Sequence, residues 1–452
     1  MKKKKNLLFI NPFIYDFACY DSWLKPLGLL YLASFLQNRG YEIHFIDCLD
    51  IINPEMIRDA SIKEPKRREY GCGRFYKQNI DKPKHLKNIP RKYSRYGITL
   101  EVFKKELSKI PHPDAILVTS MMTYWYPGPF KTIEICKSIF KGVPIILGGI
   151  YATLCYDHAK RNSMADYIVR GGNIKEIVNL VDNLTDYKGV EKDPEKKLLS
   201  GYPLFDLLRR IDYVCLLTSI GCPYRCDYCA SSFLNPHFSF RDPIETVDEI
   251  EYWYKKRGVR DFAFYDDALL FNPEEHLLTM LKEILRRNMV CNLHAPNGLL
   301  MRGVTSDVAS LMYKAGFKTI RWGFETSNIK GQLLNASKVT NEEFHASVCY
   351  LKEAGFPSHD IGIYILAGLP YQTKEEVEET IDFVFKAGTR PIITEYSPIP
   401  ETRLWEDAVR FSKFPVAEEP LFHNNSIVPC QWEGLTYNDL DLLKLKIKNL
   451  PC

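Results

Sequence analysis

Apolar residues come in short runs along this chain, and the runs alternate between two periods. Residues 6–10 (NLLFI) are continuously apolar and stop at Asn11-Pro12, the mark of a buried strand. Residues 27–39 carry apolar positions at helical spacing and stop at Gly40, and 41–46 is strand-like again, ending in Asp47. After an interruption the alternation resumes: strand 115–118, helix 130–140, strand 144–147 closing in Gly148-Gly149, strand 166–169 closing in Gly171-Gly172, and helix 174–184. Strands separated by helices imply a parallel sheet, so residues 1–185 predict a doubly wound, Rossmann-like α/β domain. Residues 186–205 are charged, hold Pro and Gly, and read as a linker. From 206 to 402 the alternation is regular, with strand ends near 220, 265, 295, 323, 367 and 397, and helices at 244–256, 274–287, 307–315, 341–354 and 374–386 between them. That is a partial (β/α)6 barrel of TIM type. Residues 403–452 form a short C-terminal cap with a last amphipathic helix near 437–449.

Composition changes this picture in three places. The chain has 452 residues, 46% of them apolar, enough for two large cores, and a net charge of only +4. That charge is unevenly placed. An insertion at about 51–112 separates the second and third strands, and its segment 61–100 holds twelve Lys/Arg against three Asp/Glu. Tyr70, Phe75, Tyr76, Tyr93 and Tyr96 are interleaved with the charges. Basic residues among aromatics suit single-stranded nucleic acid or an anionic small substrate, and they equally suit a solvated insertion whose rings anchor it. The thirteen cysteines are scattered apart from one cluster, which is no disulfide framework and fits a reducing cytoplasm. The basic start leads into a short apolar run broken by Asn11 and Pro12, which is no signal peptide, and no apolar run has membrane-spanning length.

The cluster is Cys222-Pro-Tyr-Arg-Cys226-Asp-Tyr-Cys229, on a loop just past a buried strand, where barrel enzymes keep their chemistry. Three thiolates so close suit one soft metal centre. A 4Fe-4S cluster held by three leaves one iron open, whereas structural zinc wants four ligands, and no second C-x2-C pair exists. The spacing, with Tyr228 before the last cysteine, resembles the signature of the radical S-adenosylmethionine (radical SAM) superfamily. The resemblance implies that the three cysteines hold the cluster, that the open iron chelates S-adenosylmethionine, and that Tyr228 lies near the adenine. Later strand ends extend it. FYDDALL is similar to an element near the methionine end of the cosubstrate, which implies that Asp266 or Asp267 accepts from the amino group. RWGFETS, with Glu325 and Thr326, resembles the element whose carboxylate grips the ribose hydroxyls. ILAGLP, with Gly368, resembles the glycine element beside the adenine. YSPIPET resembles the sixth-strand element, with Glu401 in place of the usual glycine.

The first domain is similar to the cobalamin-binding domain that precedes many radical SAM domains. Ser120-x-Met122, then 25 residues, then Gly148-Gly149 resembles that family's serine and glycine spacing, and Gly171-Gly172 closes the next strand. The family's D-x-H-x-x-G motif is absent: Asp47 is followed by Cys48-Leu49-Asp50. The resemblance implies an enzyme with a 4Fe-4S cluster, S-adenosylmethionine and cobalamin. It would form a 5′-deoxyadenosyl radical and methylate an unactivated carbon of an organic substrate, fed by a flavodoxin- or ferredoxin-type electron donor. Two other outcomes stay open: a rearrangement, cyclisation or oxidation with a first domain that binds no cobalamin, and an RNA-binding protein with a structural cluster.

Overall fold

The structure, a computed structural model, describes residues 4–171, 174–187, 201–334 and 339–451. The chain divides into two compact units, Met1–Asp212 and Tyr213–Cys452. Most of the stretch expected as a linker, 188–200, lies outside the described residues, as does Gly172.

Unit 1 is built on five parallel strands: β1 (Asn6–Asn11), β2 (Glu42–Asp47), β3 (Ala115–Val118), β4 (Ile145–Leu147) and β5 (Tyr167–Ile168). Their order is β5-β4-β3-β1-β2, a doubly wound sheet whose central strands are apolar on both faces. The helix Leu27–Asn38 sends Leu29, Leu32, Ala33 and Leu36 onto Leu7 and Phe9 of β1, which explains its helical spacing of apolar residues. At the carboxyl ends, Asn11 Nδ2 donates to Asp47 Oδ1 at 2.8 Å and locks β1 to β2 in register.

The basic insertion is folded. Strands Ile14–Asp16, Tyr93–Tyr96 and Lys77–Ile80 make a small antiparallel sheet, and Tyr20–Asp21 pairs with Gly73–Arg74. Phe75, Tyr76, Tyr93 and Tyr96 are 2–4% exposed, and the Tyr93 ring meets Phe17 edge-on at 5.3 Å. These rings anchor the insertion. They are not offered to solvent as a stacking platform for bases.

Unit 2 holds six parallel strands: β6 (Val214–Leu216), β7 (Asp261–Phe264), β8 (Asn292–Leu300), β9 (Phe317–Glu325), β10 (Gly362–Ala367) and β11 (Arg390–Glu395), in the order β6-β7-β8-β9-β10-β11. Each strand pairs with its successor, and among the described residues no seventh strand closes the sheet, which is the partial barrel expected. The connecting helices start where their caps dictate. Thr340 and Thr373 each form a capping box, with Glu343 and Glu376, and Asp242 accepts from the backbone N–H groups of Ile244 and Glu245. Two helices end at Gly258 and Gly355 in the left-handed region. The last helix, Tyr437–Lys448, lies on the helix Lys374–Lys386, where Lys446 pairs with Glu378 and Asp382. His423 and Asn424 are packed inside the cap. His423 Nε2 bonds to Val416 O at 2.8 Å, and Asn424 Oδ1 accepts from Ser426 N.

Candidate active site

The cysteine loop is held from several directions before any ligand is considered. It leaves a short hairpin of Ser219–Ile220 and Ser239–Phe240 through Gly221. Gly221 has φ +77, and a Cβ there would lie 2.8 Å from His237 O, so only glycine makes this turn without strain. Cys229 N donates to Cys226 O at 3.1 Å, a tight turn that brings the last two cysteines together. Across the loop, Leu404 N donates to Asp227 O at 3.0 Å and Arg403 Nη1 to Asp227 Oδ1 at 3.2 Å, so the start of the cap clamps it. Cys226 is buried, Cys222 half-buried and Cys229 exposed. The twelve described cysteines form no disulfide with one another.

Three of the strand-end candidates, Glu325, Asp267 and Asp266, meet this loop or its launching segment. The Tyr228 hydroxyl donates to Glu325 Oε1 at the end of β9, and burial, reinforced by the Glu325 charge, pushes the phenol well above its usual pKa. The Ser231 hydroxyl donates to Asp267 Oδ2. Asp266 is turned the other way. It is 2% exposed, and its Oδ1 accepts from Thr218 N (3.0 Å), Thr218 Oγ1 (2.8 Å) and Ser219 Oγ (2.6 Å). It therefore ties the end of β7 to the segment that launches the cysteines. Burial raises its carboxyl to about 6, against the lowering effect of those hydrogen bonds. Thr326 faces its own loop: Asn328 N donates to its Oγ1 at 3.1 Å, and its neighbour Ser327 bonds to Thr380 Oγ1. At Gly368 the backbone N–H is taken by Gln372 Oε1 at 2.8 Å, which closes the turn after β10.

Sequence reasoning missed Thr218, Ser219, Leu404 and His276, which hold the loop or its launching segment, and Gln372, which closes the turn at Gly368. His276 Nε2 lies 2.8 Å from Thr218 Oγ1, and its ring stacks on Phe240 at 4.3 Å. The polar pair Thr218-Ser219 at the end of an apolar run was the available signal.

Among the described residues no three His, Cys, Asp or Glu side chains converge on a position for a single metal ion. By donor type and spacing, the three thiols of Cys222, Cys226 and Cys229 on one loop fit a cluster that leaves one iron open. They do not fit a structural zinc.

In unit 1 the Ser120 hydroxyl donates to Gly148 O at 2.6 Å and accepts from Ala152 N at 3.2 Å, stitching the ends of β3 and β4 together. A Cβ at Gly149 would lie 2.1 Å from Ser120 O, with φ at +98. Gly149→Ala is therefore expected to destabilise unit 1 by about 2–4 kcal/mol, read as a lower midpoint in urea with an unchanged slope. A Cβ at Gly148 would meet nothing nearer than Val169 O at 3.8 Å. Beside it Met122 and Ile150 are 45% and 42% exposed, which leaves an apolar edge suited to a broad hydrophobic ligand face. Gly171 N donates to Thr153 Oγ1 at 2.8 Å.

Residues 216–384 match the model of the radical SAM superfamily. The chain carries a radical SAM domain. It runs from the strand before the cysteine loop to the last helix of the barrel. Over 363 residues, 74% of each chain, this protein is 24% identical to an uncharacterized methyltransferase of Pyrococcus horikoshii. Over 214 residues, 41% of this chain and 42% of the other, it is 22% identical to the anaerobic magnesium-protoporphyrin IX monomethyl ester cyclase of Synechocystis. The radical SAM methyltransferase TsrM of Kitasatospora setae, solved with cobalamin and a [4Fe-4S] cluster, superposes with a TM-score of 0.63 at 15% identity, covering 90% of this chain and 79% of that one. The cobalamin-dependent radical enzyme OxsB gives 0.58 at 12% identity, covering 99% of this chain and 62% of the other. The two-unit α/β fold, a parallel-sheet domain followed by a radical SAM barrel, is thus shared with these enzymes.

Proposed function

We propose that this protein is a radical SAM enzyme that methylates an unactivated carbon of an organic substrate with cobalamin as the methyl carrier. The observation that carries the reading is the Cys222–Cys229 loop, clamped at the strand ends with its Tyr228 bonded to Glu325. When bound, the 4Fe-4S cluster and S-adenosylmethionine supply a 5′-deoxyadenosyl radical and cobalamin supplies the methyl group. The chain's own residues bind and orient. Cys222, Cys226 and Cys229 hold the cluster. Glu325 accepts from the ribose hydroxyls, a role that suits a carboxylate because it takes two hydrogen bonds at once. Asp267 accepts from the amino group, and the backbone at Gly368 lies along the adenine. In unit 1, Met122 and Gly148 form the apolar edge for the corrin, with Ser120 and Gly149 fixing its shape and Gly171 beyond it. Asp266 acts through the loop, as a positioning residue.

The relatives support this reading, since the Pyrococcus protein and TsrM are both named methyltransferases. The Synechocystis cyclase favours a second one, in which the same radical step leads to a non-methylating outcome. Among the described residues no helix is long and apolar enough to cross a membrane. A reducing cytoplasm with a flavodoxin- or ferredoxin-type donor suits the thiols and the cluster. The buried rings of the insertion weigh against nucleic acid.

Anaerobic reconstitution with iron, sulfide and hydroxocobalamin tests the proposal. The expected result is stoichiometric cobalamin by absorbance and 5′-deoxyadenosine once the cluster is reduced with S-adenosylmethionine present. A protein with a full cluster that takes up no cobalamin leaves only the second reading. One that never cleaves the cosubstrate overturns both.

A further inference from the structure

We propose that Arg321 and Tyr364 form an anion-binding site on the inner face of the barrel, and that the substrate carries a carboxylate or phosphate held there. The inference rests on the barrel being the catalytic domain of the enzyme proposed above, and it names the substrate's class.

Side chains alternate along β9. Ile320, Trp322 and Phe324 are 1–3% exposed, and the Phe324 ring packs on Phe344 and Phe383 of the surrounding helices at 4.4 and 5.6 Å. Arg321 and Gly323 therefore share the opposite, inner face, and beyond a register shift in the strand Glu325 Oε1 lies on the same side, 3.8 Å from where a Cβ at Gly323 would stand. On β10, Ile363 and Ile365 are fully buried, and Tyr364 between them is half-buried on the side of Arg321. The register sets Arg321 beside Gly298 of β8 and Gly362 of β10. Both neighbours are glycines, and both make room. A Cβ at Gly362 would lie 3.5 Å from Arg321 Cδ and Nη1, and one at Gly298 would lie 3.2 Å from Tyr364 Cδ2.

The guanidinium has little to hold. Its Nη1 donates to Ile320 O at 2.9 Å, and it hydrogen-bonds to the Tyr364 side chain. Among the described residues no Asp or Glu lies within ion-pair distance of it; the Asp360 charge acts from further off, and Arg390 opposes it. Burial pushes the guanidinium below its usual pKa. An arginine kept half-buried among strands without a counter-charge is costly, and its planar fork matches a carboxylate or a phosphate. Arg321 lies four residues before Glu325 on β9, roughly 13 Å or less at strand rise, with the register shift between them. A substrate anchored at Arg321 thus extends toward the strand ends, where the cysteine loop sits.

The test uses the full chain, with wild type, Arg321→Met, Arg321→Lys and Tyr364→Phe. Phenylphosphate, phenylacetate and the neutral 2-phenylethanol are the probes, with binding read by ligand-observed NMR and melting temperature alongside. The wild type is expected to bind at least one anion more weakly as salt rises, and which anion it prefers assigns phosphate or carboxylate. Arg321→Met is expected to weaken that anion by roughly tenfold or more, leave 2-phenylethanol unchanged, and keep or raise the melting temperature, since it removes an uncompensated charge. Arg321→Lys keeps the charge without the fork and is expected to fall between, which preserves the test if the Met variant does not fold. The proposal is overturned if the wild type binds neither anion. It is equally overturned if the Arg321 variants bind them as wild type does, or if they lose stability with anion binding intact. None of these readouts needs cobalamin or S-adenosylmethionine cleavage, so the site and the methylation can fail separately.

Discussion

Cys226→Ala is expected to abolish cleavage of S-adenosylmethionine, by on the order of a thousandfold or more, because two thiolates do not retain a 4Fe-4S cluster. Cys226 is the buried member of the three and sits in the turn that Cys229 N closes. Its loss removes a ligand while the backbone clamps from Leu404 and Arg403 remain, so the fold is expected to survive. Iron and sulfide analysis, the charge-transfer absorbance of the reconstituted protein and 5′-deoxyadenosine formation are the measurements. Cys430→Ala is the matched control. Cys430 is 1% exposed in a cluster with Leu366, Tyr396 and Ala408, and burial pushes its thiol up to about 12, so it is a neutral packing group. It should cost some stability and leave iron content unchanged. A Cys226→Ala protein that holds full iron and still cleaves the cosubstrate would remove the basis of the functional reading.

The contrast between those two cysteines shows what the sequence could and could not convey. Spacing is a local property, and C-x3-C-x2-C past an apolar run carried the loop, its place on the barrel and its chemistry. The barrel helices were equally legible. Their starts follow from Thr340 with Glu343 and Thr373 with Glu376, each three residues apart, and the helices at 341–354 and 374–386 begin and end as the pattern indicates. The insertion was not. Lys77–Ile80 (KQNI) has no alternation, because it earns strand geometry from pairing with Tyr93–Tyr96. Whether Phe75 or Tyr96 would face solvent depends on that pairing too.

Site roles that depend on tertiary partners were the least legible. Asp266 and Asp267 are adjacent and alike in sequence. Only the fold shows that Asp266 is consumed by Thr218 and Ser219 while Asp267 meets Ser231 near the cysteines. In RWGFETS the motif rests on the Glu325 carboxylate, and nothing local marks the arginine at its start. The strand period was the signal that could have found it, since position 321 alternates with the buried Ile320, Trp322 and Phe324.

The Asp266 network yields the second large effect, a cancellation of two opposed pH dependences. Thr218 Oγ1 donates its one proton to Asp266 Oδ1, so His276 must donate to Thr218 from Nε2, which the neutral and the charged ring can both do. Burial, with the nearby Arg241 charge, lowers His276 to about 4, from 6.5. Burial raises Asp266 to about 6, from 3.8. For Asp266 the folded state holds its proton more tightly, so its contribution is largest below pH ~4 and is lost as pH rises through ~6. For His276 the unfolded state binds the proton more tightly, so its contribution is full above pH ~6.5 and is lost as pH falls toward ~4. Each span is worth roughly 3 kcal/mol, with opposite sign over nearly the same window. Wild-type stability should therefore vary little from this site between pH ~4 and ~6.5. Asp266→Asn, which keeps an acceptor for Thr218 and Ser219, should leave the histidine slope exposed, with stability rising with pH relative to wild type. His276→Gln should leave the aspartate slope, with stability falling as pH rises. Urea midpoints for the three proteins at half-unit pH steps read this directly, and parallel curves would mean that neither group is perturbed as its burial implies. Iron content should fall in Asp266→Ala at constant pH, because the launching strand then loses three hydrogen bonds to one oxygen.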